Sequence, residues 1–244
     1  LILIQKHILG SRPITSPYRL IAAEANNSRS VSTLDMIQIR KLILGLVPEF
    51  ENNSSWRFVD EGYTFPDADN PWAEAFPEVR NVNNLDRIVL ANFIGIKIGD
   101  VNGSAKMNEP RSDQDAMKVS TQELEMEHGN TYTLSFKSDL TNIAGYQFTM
   151  DLDPSKVEIV TVKEGIAKAE NFGVFTEMGS VTTSYHRDLK TSPELEGNVL
   201  FSITIRARED AALSEVLSLS SRLTEAEAYQ PNNALIAVGL VIDQ

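Results

Sequence analysis

From residue 119 to the C-terminus, apolar side chains recur at every second position. Tyr132, Leu134 and Phe136 alternate with polar neighbours, as do Tyr146, Phe148 and Met150, and Val157 and Ile159. Val199, Phe201, Ile203 and Ile205 repeat the pattern, and Ile236, Val238, Leu240 and Ile242 close the chain with it. Turn formers separate the runs, among them Asp153-Pro154, Lys163-Glu164-Gly165 and Glu196-Gly197-Asn198. A period of two puts alternate side chains on one face of a strand, so these runs predict half-buried antiparallel strands in a two-sheet sandwich over 119–244. Tyr146, Phe148, Met150, Phe201, Ile203 and Val238 are the predicted inward-facing set. A short helical interval is expected near 210–215, and Thr182-Thr183-Ser184-Tyr185-His186 reads as a surface strand.

The first hundred residues follow a different pattern. Ile4-Gln-Lys-His-Ile-Leu-Gly10 aligns with Ile39-Arg-Lys-Leu-Ile-Leu-Gly45, an internal repeat offset by about 35 residues. Each copy predicts a short helix, over 1–10 and 35–45, stopped by a glycine in the left-handed position. Leu34, Ile37, Leu42 and Leu44 do not share one narrow stripe, so the second helix is expected to be covered on much of its surface. Residues 46–98 are irregular, with prolines and Asn/Asp turns. Trp56, Phe58, Tyr63, Phe65, Trp72 and Phe76 there are read as a small aromatic core, with a sugar platform as the alternative. Residues 105–118 hold almost nothing to bury and read as a linker between domains 1–104 and 119–244. The repeat's first loop would precede Leu1, so the chain is read as part of a longer protein.

The segment before the second helix carries the candidate chemistry. Glu24, Asn26, Ser28, Ser30, Ser32 and Asp35 stand at positions 1, 3, 5, 7, 9 and 12 of a loop that runs into a helix. Hard oxygen donors at that spacing belong to the calcium loop of an EF-hand. Arg29 stands where the turn glycine is usual, and Asp rather than Glu closes the loop. A plain polar loop ending in a helix cap is the competing reading. With two carboxylates the expected calcium affinity is that of an extracellular module, a Kd of roughly 10⁻⁴–10⁻³ M. Asp100, Asn102 and Ser104 open either a third loop of this type or a tight turn. Asp67, Asp69 and Asn70 read as turn residues.

Charge and composition narrow the function classes. The 244 residues carry a net charge of −12, which argues against nucleic acid and anionic membrane surfaces as partners. Residues 1–104 hold 10 basic and 12 acidic side chains, and residues 105–244 hold 12 and 22. Cysteine is absent, which removes thiol nucleophiles, disulfides and cysteine zinc sites. No apolar stretch approaches the length of a membrane span. No HExxH, phosphate-binding glycine loop or GxSxG occurs, and His7, His128 and His186 are scattered. Asp151 and Asp153, the nearest approach to a carboxylate pair, read as a solvated or turn-forming pair, so no catalytic site is expected.

The duplicated helices ending in Ile-Leu-Gly, the 24–35 loop, Ser55-Trp-Arg-Phe58 and Gly99-Asp-Val-Asn-Gly-Ser104 together resemble a dockerin-like region. Such regions occur in large secreted surface proteins of Bacteroidetes-type bacteria. Ala144-Gly-Tyr-Gln-Phe-Thr-Met-Asp-Leu-Asp-Pro154, Val157–Gly165, Leu200–Ile205 and Glu227-Ala-Tyr229 resemble a cohesin, a nine-stranded jelly roll related to some carbohydrate-binding modules. The first resemblance implies Ca²⁺ held by the loop oxygens of a small, mainly helical and irregular module. The second implies an all-β jelly-roll sandwich that binds a protein module through one sheet face. Together they imply a non-catalytic structural, adhesive or cargo-presenting region of an extracellular or cell-surface protein, exported by an outer-membrane secretion system (type IX). The alternative is a carbohydrate-binding or cohesin/dockerin-type component of a polysaccharide-degrading assembly, whose partner is a protein module or a glycan.

Overall fold

The computed structural model describes residues 1–83, 88–103, 116–140, 143–187, 197–232 and 234–244. Ser104 and residues 105–115 of the expected linker fall outside the described residues. Contacts divide the chain into two units, Leu1–Leu42 with Val47–Glu109 and Ile43–Leu46 with Pro110–Gln244.

The first unit holds α1 (Ile2–Ile8), α2 (Pro17–Ala23) and most of α3 (Thr33–Ile43), followed by β1 (Trp56–Asp60) and β2 (Phe93–Lys97). Both copies of the repeat form a helix and stop as their glycines dictate, Gly10 at φ +67° and Gly45 at φ +71°. Helix α2 starts at Pro17, where a missing N–H costs nothing. It buries Leu20, Ile21, Ala22 and Ala23 and packs beside β2. The β1–β2 ladder, Trp56 opposite Lys97 through Asp60 opposite Phe93, is a small antiparallel sheet where irregular chain was expected.

Two expectations for this unit are corrected. Helix α3 is not covered all round, because Leu34 and Ile37 are 61% and 42% exposed and only Asp35, Met36 and Ile39 face inward. The aromatic residues do not form one core. Tyr18, Tyr63, Phe65 and Phe76 pack edge to face or tilted, but Trp56 and Phe58 stand on the outer face of β1 with Lys97 over the indole ring. Strand alternation explains this, since Val59, on the opposite face of β1, takes the buried position.

The second unit is a β-sandwich. Its strands are β3 (Met117–Gln122), β4 (Glu125–Met126), β5 (Thr131–Ser138), β6 (Gly145–Leu152), β7 (Val157–Glu164), β8 (Phe172–Phe175) and β9 (Ser180–His186). They continue with β10 (Val199–Ala207), β11 (Ala211–Ala212), β12 (Leu217–Ser220), β13 (Glu227–Tyr229) and β14 (Leu235–Asp243). One layer runs β7-β10-β5-β3-β14; the other runs β13-β6-β9-β8, with β12 also on β6. Strand β14 joins the layers, pairing with β13 through Ala237 and with β3 from Val238 onward. That β14–β3 ladder is parallel, which corrects the expectation of a wholly antiparallel sandwich. First and last strands of the domain meet side by side, and no hairpin constrains their direction.

Strand β3 begins at Met117, which is fully buried, so the expected linker ends earlier than 118. The helical interval is α4 (Leu213–Val216), with residues 211–212 in strand. Alternation places the core as read: Tyr146, Phe148, Met150, Phe201 and Ile203 are buried between the layers. Val238 is only partly buried, because it lies where β14 crosses from one layer to the other.

Candidate functional sites

Loop 24–35 joins α2 to α3, and hydrogen bonds define its geometry. Asp35, fully buried, accepts from the Ala25 N–H (2.7 Å) and the Asn26 N–H (3.1 Å) on Oδ1. On Oδ2 it accepts from the Ser32 N–H (2.8 Å) and the Ser32 hydroxyl (3.0 Å). Ser32 Oγ accepts in turn from the Leu34 N–H, so Ser32 and Asp35 form the reciprocal box that starts a helix. Glu24, also buried, accepts from the Ser28 N–H (2.6 Å). Burial pushes the Glu24 carboxyl above its ordinary pKa; the Ser28 and Asn27 N–H groups and Arg57 oppose that rise, and Asp35 adds to it. Asn26 Oδ1 accepts from the same Ser28 N–H, and Ser28 Oγ donates to the Ser30 carbonyl (3.1 Å).

The structure therefore brings Glu24, Asn26, Ser28, Ser30, Ser32 and Asp35 together, as their spacing requires, but they fit a calcium ion poorly. A carboxylate has about four acceptor positions, and four protein donors already fill those of Asp35. Calcium needs about 6–8 oxygens, and a closing carboxylate normally supplies two of them. Among the described residues, no group of three or more carboxylates or imidazoles converges on a point. Asp100 and Asn102 lie in the turns after β2, with Val101 buried between them. Asp67 Oδ1 accepts the Asp69 N–H, a turn-forming bond.

Arg29 holds the left-handed conformation (φ +64°) that the usual glycine would adopt, and Asn27 does so at φ +61°. Asparagine tolerates this region; an exposed arginine gains nothing from it. Arg29→Gly is expected to stabilise the first unit by about 1 kcal/mol, the left-handed penalty less glycine's extra unfolded-state entropy. Both tryptophans lie in that unit, so urea unfolding followed by indole fluorescence reads the change.

The second unit presents a different candidate, the outer face of the β12-β6-β9-β8 layer. Register puts Val181, Thr183 and Tyr185 opposite Met150, Phe148 and Tyr146, toward the core. Ser180, Thr182 and Ser184 consequently share the outer face with Asp151, Thr149 and Gln147. This face is not solvated at its centre, and Thr182 and Thr149 are fully buried. Residues Ile43–Leu46, which belong to this unit, lie on it. Thr182 Oγ1 donates to the Leu44 carbonyl (2.8 Å), and Thr224 Oγ1 donates to the Ile43 carbonyl (2.6 Å). Thr149 fixes the Thr224 loop by accepting its N–H (2.8 Å). Gly173 opposite Thr182 gives the Leu44 carbonyl its room, since a Cβ there would lie 2.9 Å from that oxygen.

Strand β9 is thus an interior strand with a covered outer face, which corrects the surface-strand reading of Thr182–His186. A run of hydroxyl side chains looks solvent-facing in sequence, yet hydroxyls are buried cheaply where carbonyls accept their protons. Thr149, Gly173 and Thr224 had drawn no attention in the sequence. The three consecutive hydroxyl residues Thr182-Thr183-Ser184 were the available signal.

The remaining candidates are structural. Asp151 accepts from the Ser180 (2.7 Å) and Ser220 (2.6 Å) hydroxyls and pairs with Arg222 (2.6 Å). Desolvation alone would raise its pKa, but Arg222, Ser180 and Ser220 together hold the carboxyl below the usual range. Asp153 accepts from the Ser155 N–H and hydroxyl in a turn. His7 Nδ1 accepts from the Ile14 N–H (3.0 Å), and His128 Nδ1 lies 2.5 Å from the Arg208 carbonyl. No helix among the described residues is long and apolar enough to cross a membrane.

Neither protein-family models nor curated proteins give a match to this chain. Solved structures of cohesins do. A type I cohesin–dockerin complex from Clostridium thermocellum shares 13% identity over 55% of this chain and 94% of that one, with a TM-score of 0.43. The sixth cohesin of scaffoldin B from Acetivibrio cellulolyticus, solved in complex with a dockerin, shares 16% identity over 52% and 95%, with a TM-score of 0.41. A type II cohesin domain from the cellulosome of Acetivibrio cellulolyticus shares 15% identity over 53% and 93%, with a TM-score of 0.40.

Proposed function

We propose that the chain is a non-catalytic component of a cohesin/dockerin-type assembly, whose sandwich holds a helix end on the outer face of its β12-β6-β9-β8 layer. One observation carries this reading: the Thr182 and Thr224 hydroxyls grip the Leu44 and Ile43 carbonyls over a face cleared by Gly173. Main-chain carbonyls at a helix C-terminus have no intrahelical partner, so hydroxyl donors spaced to meet two of them recognise a helix end as such. The held residues are the Ile43-Leu44-Gly45 end of the dockerin-like repeat. The resemblance of the two halves supports an extracellular or cell-surface setting, with export through the secretion machinery of the parent chain.

The test uses the full chain. Leu44 is 1% exposed, so the buried charge of Leu44→Glu is expected to drive the segment off the face. A synthetic peptide spanning residues 33–46 is expected to bind the Leu44→Glu chain in calorimetric titration and not the wild type, whose face is filled. Adding Thr182→Arg to Leu44→Glu should remove the binding. A folded Leu44→Glu chain that takes up no peptide would overturn the docking function.

A further inference from the structure

We infer that loop 24–35, despite its calcium-loop spacing, closes on the Asp35 carboxylate in the place of a cation and folds independently of calcium. In a calcium loop the ion draws the first and last residues together by binding oxygens from both ends. Here Asp35 does the same work with the opposite polarity. Its Oδ1 takes the N–H groups of Ala25 and Asn26 at the start of the loop, and its Oδ2 takes the N–H and hydroxyl of Ser32 at the end. The positive ends of three peptide dipoles and one hydroxyl surround the carboxylate, so its charge is met without a metal.

The other expected ligands are engaged in the same way. Glu24 Oε1 and Asn26 Oδ1 both accept the Ser28 N–H, and Ser28 Oγ donates to the Ser30 carbonyl. A calcium ion bound through both Asp35 oxygens would have to break bonds to both ends of the loop at once. It would gain one further carboxylate, Glu24, in return. The departure at the close of the loop, Asp for the usual Glu, fits this arrangement. Aspartate is short enough to reach back to the amides of residues 25 and 26.

The experiment compares full-length protein in millimolar calcium chloride and in excess EGTA, using indole fluorescence to follow melting of the first unit. The two curves are expected to coincide, and titration with calcium alone is expected to give no saturable heat through the millimolar range. Asp35→Asn keeps the size but replaces one acceptor oxygen with a donor, and should lower the melting temperature by roughly 10 °C equally in both buffers. Glu24→Gln, which keeps an acceptor for the Ser28 N–H, should melt identically with and without calcium. A melting temperature that rises with calcium in the wild type and loses that rise in Glu24→Gln would overturn the inference. Should Asp35→Asn fail to fold, the wild type and Glu24→Gln still decide the question. None of these readouts depends on the docking face of the sandwich, so either idea can fail alone.

Discussion

Gly179→Ala is expected to destabilise the sandwich by about 4 kcal/mol, among the largest effects of any single methyl group in this chain. Gly179 ends the short turn before β9 with φ +64°, a conformation that costs an alanine about 1–2 kcal/mol. The larger part comes from crowding. A Cβ at this position would overlap the Leu152 carbonyl oxygen and lie 3.0 Å from Pro154 Cδ. Backbone cannot swing aside as a side chain can, and Gly179 O accepts the Leu152 N–H (2.7 Å), so any retreat breaks that bond too. Gly129 is the matched control. It has φ +82° with open space around its missing Cβ, so Gly129→Ala should show the conformational cost alone, about 1–2 kcal/mol. Urea unfolding followed by far-UV circular dichroism measures both. Equal losses at the two positions would show that the Leu152 carbonyl yields and that the turn is softer than its packing implies.

What could be read in the sequence depended on how local the determining physics was. Strands β5, β6 and β10 were legible because each carries its own period of two and large side chains, such as Phe136, Phe148 and Phe201, mark the inner face. The helices of the repeat were legible because Gly10 and Gly45 mark their stops. Strand β9 was misread because the hydroxyl at its centre, Thr182, is covered by residues far away in the chain, Ile43 to Leu46, which the Thr224 loop also holds. The parallel pairing of β3 with β14 was out of reach for the same reason, since it joins residues 117–122 to 238–243 with no turn to set their direction. The β1–β2 ladder was missed because 32 residues separate the two strands and neither is long.

The candidate site in loop 24–35 shows a subtler limit. Spacing placed Glu24, Asn26, Ser28, Ser30, Ser32 and Asp35 in one loop, and in the structure their polar groups bond within that loop. Spacing could not say whether those oxygens would turn toward a common centre or toward the loop's own amides. That choice depends on side-chain length at the closing position, where Asp35 is one methylene shorter than the usual glutamate and sits against the N–H groups of residues 25, 26 and 32.

Phe201→Ala should cost the sandwich about 3–5 kcal/mol and loosen the docking face without touching it. Phe201 lies on β10 between β5 and β7, fully buried. Its ring stacks on Phe136 of β5 with centroids 4.9 Å apart, and reaches across to Phe172 of β8 at 5.3 Å and Phe148 of β6 at 6.2 Å. One side chain therefore joins the layer that carries β10 to two strands of the layer that carries Thr182. Truncation removes the ring's contacts on both sides, and a layer of closely packed aromatics cannot collapse fully into the gap. Phe201→Leu keeps most of the volume and should cost about 1–2 kcal/mol. The two variants separate packing from docking, since neither alters a hydroxyl or a carbonyl of the face. In hydrogen exchange, the strand amides of β8 and β9 are expected to lose protection in Phe201→Ala by a larger factor than those of β3, which is separated from β10 by β5. Uniform loss across all strands would mean that the layers unfold only together. Unchanged protection in β8 and β9, with stability lost elsewhere, would show that Phe172 and Phe148 hold the face without Phe201.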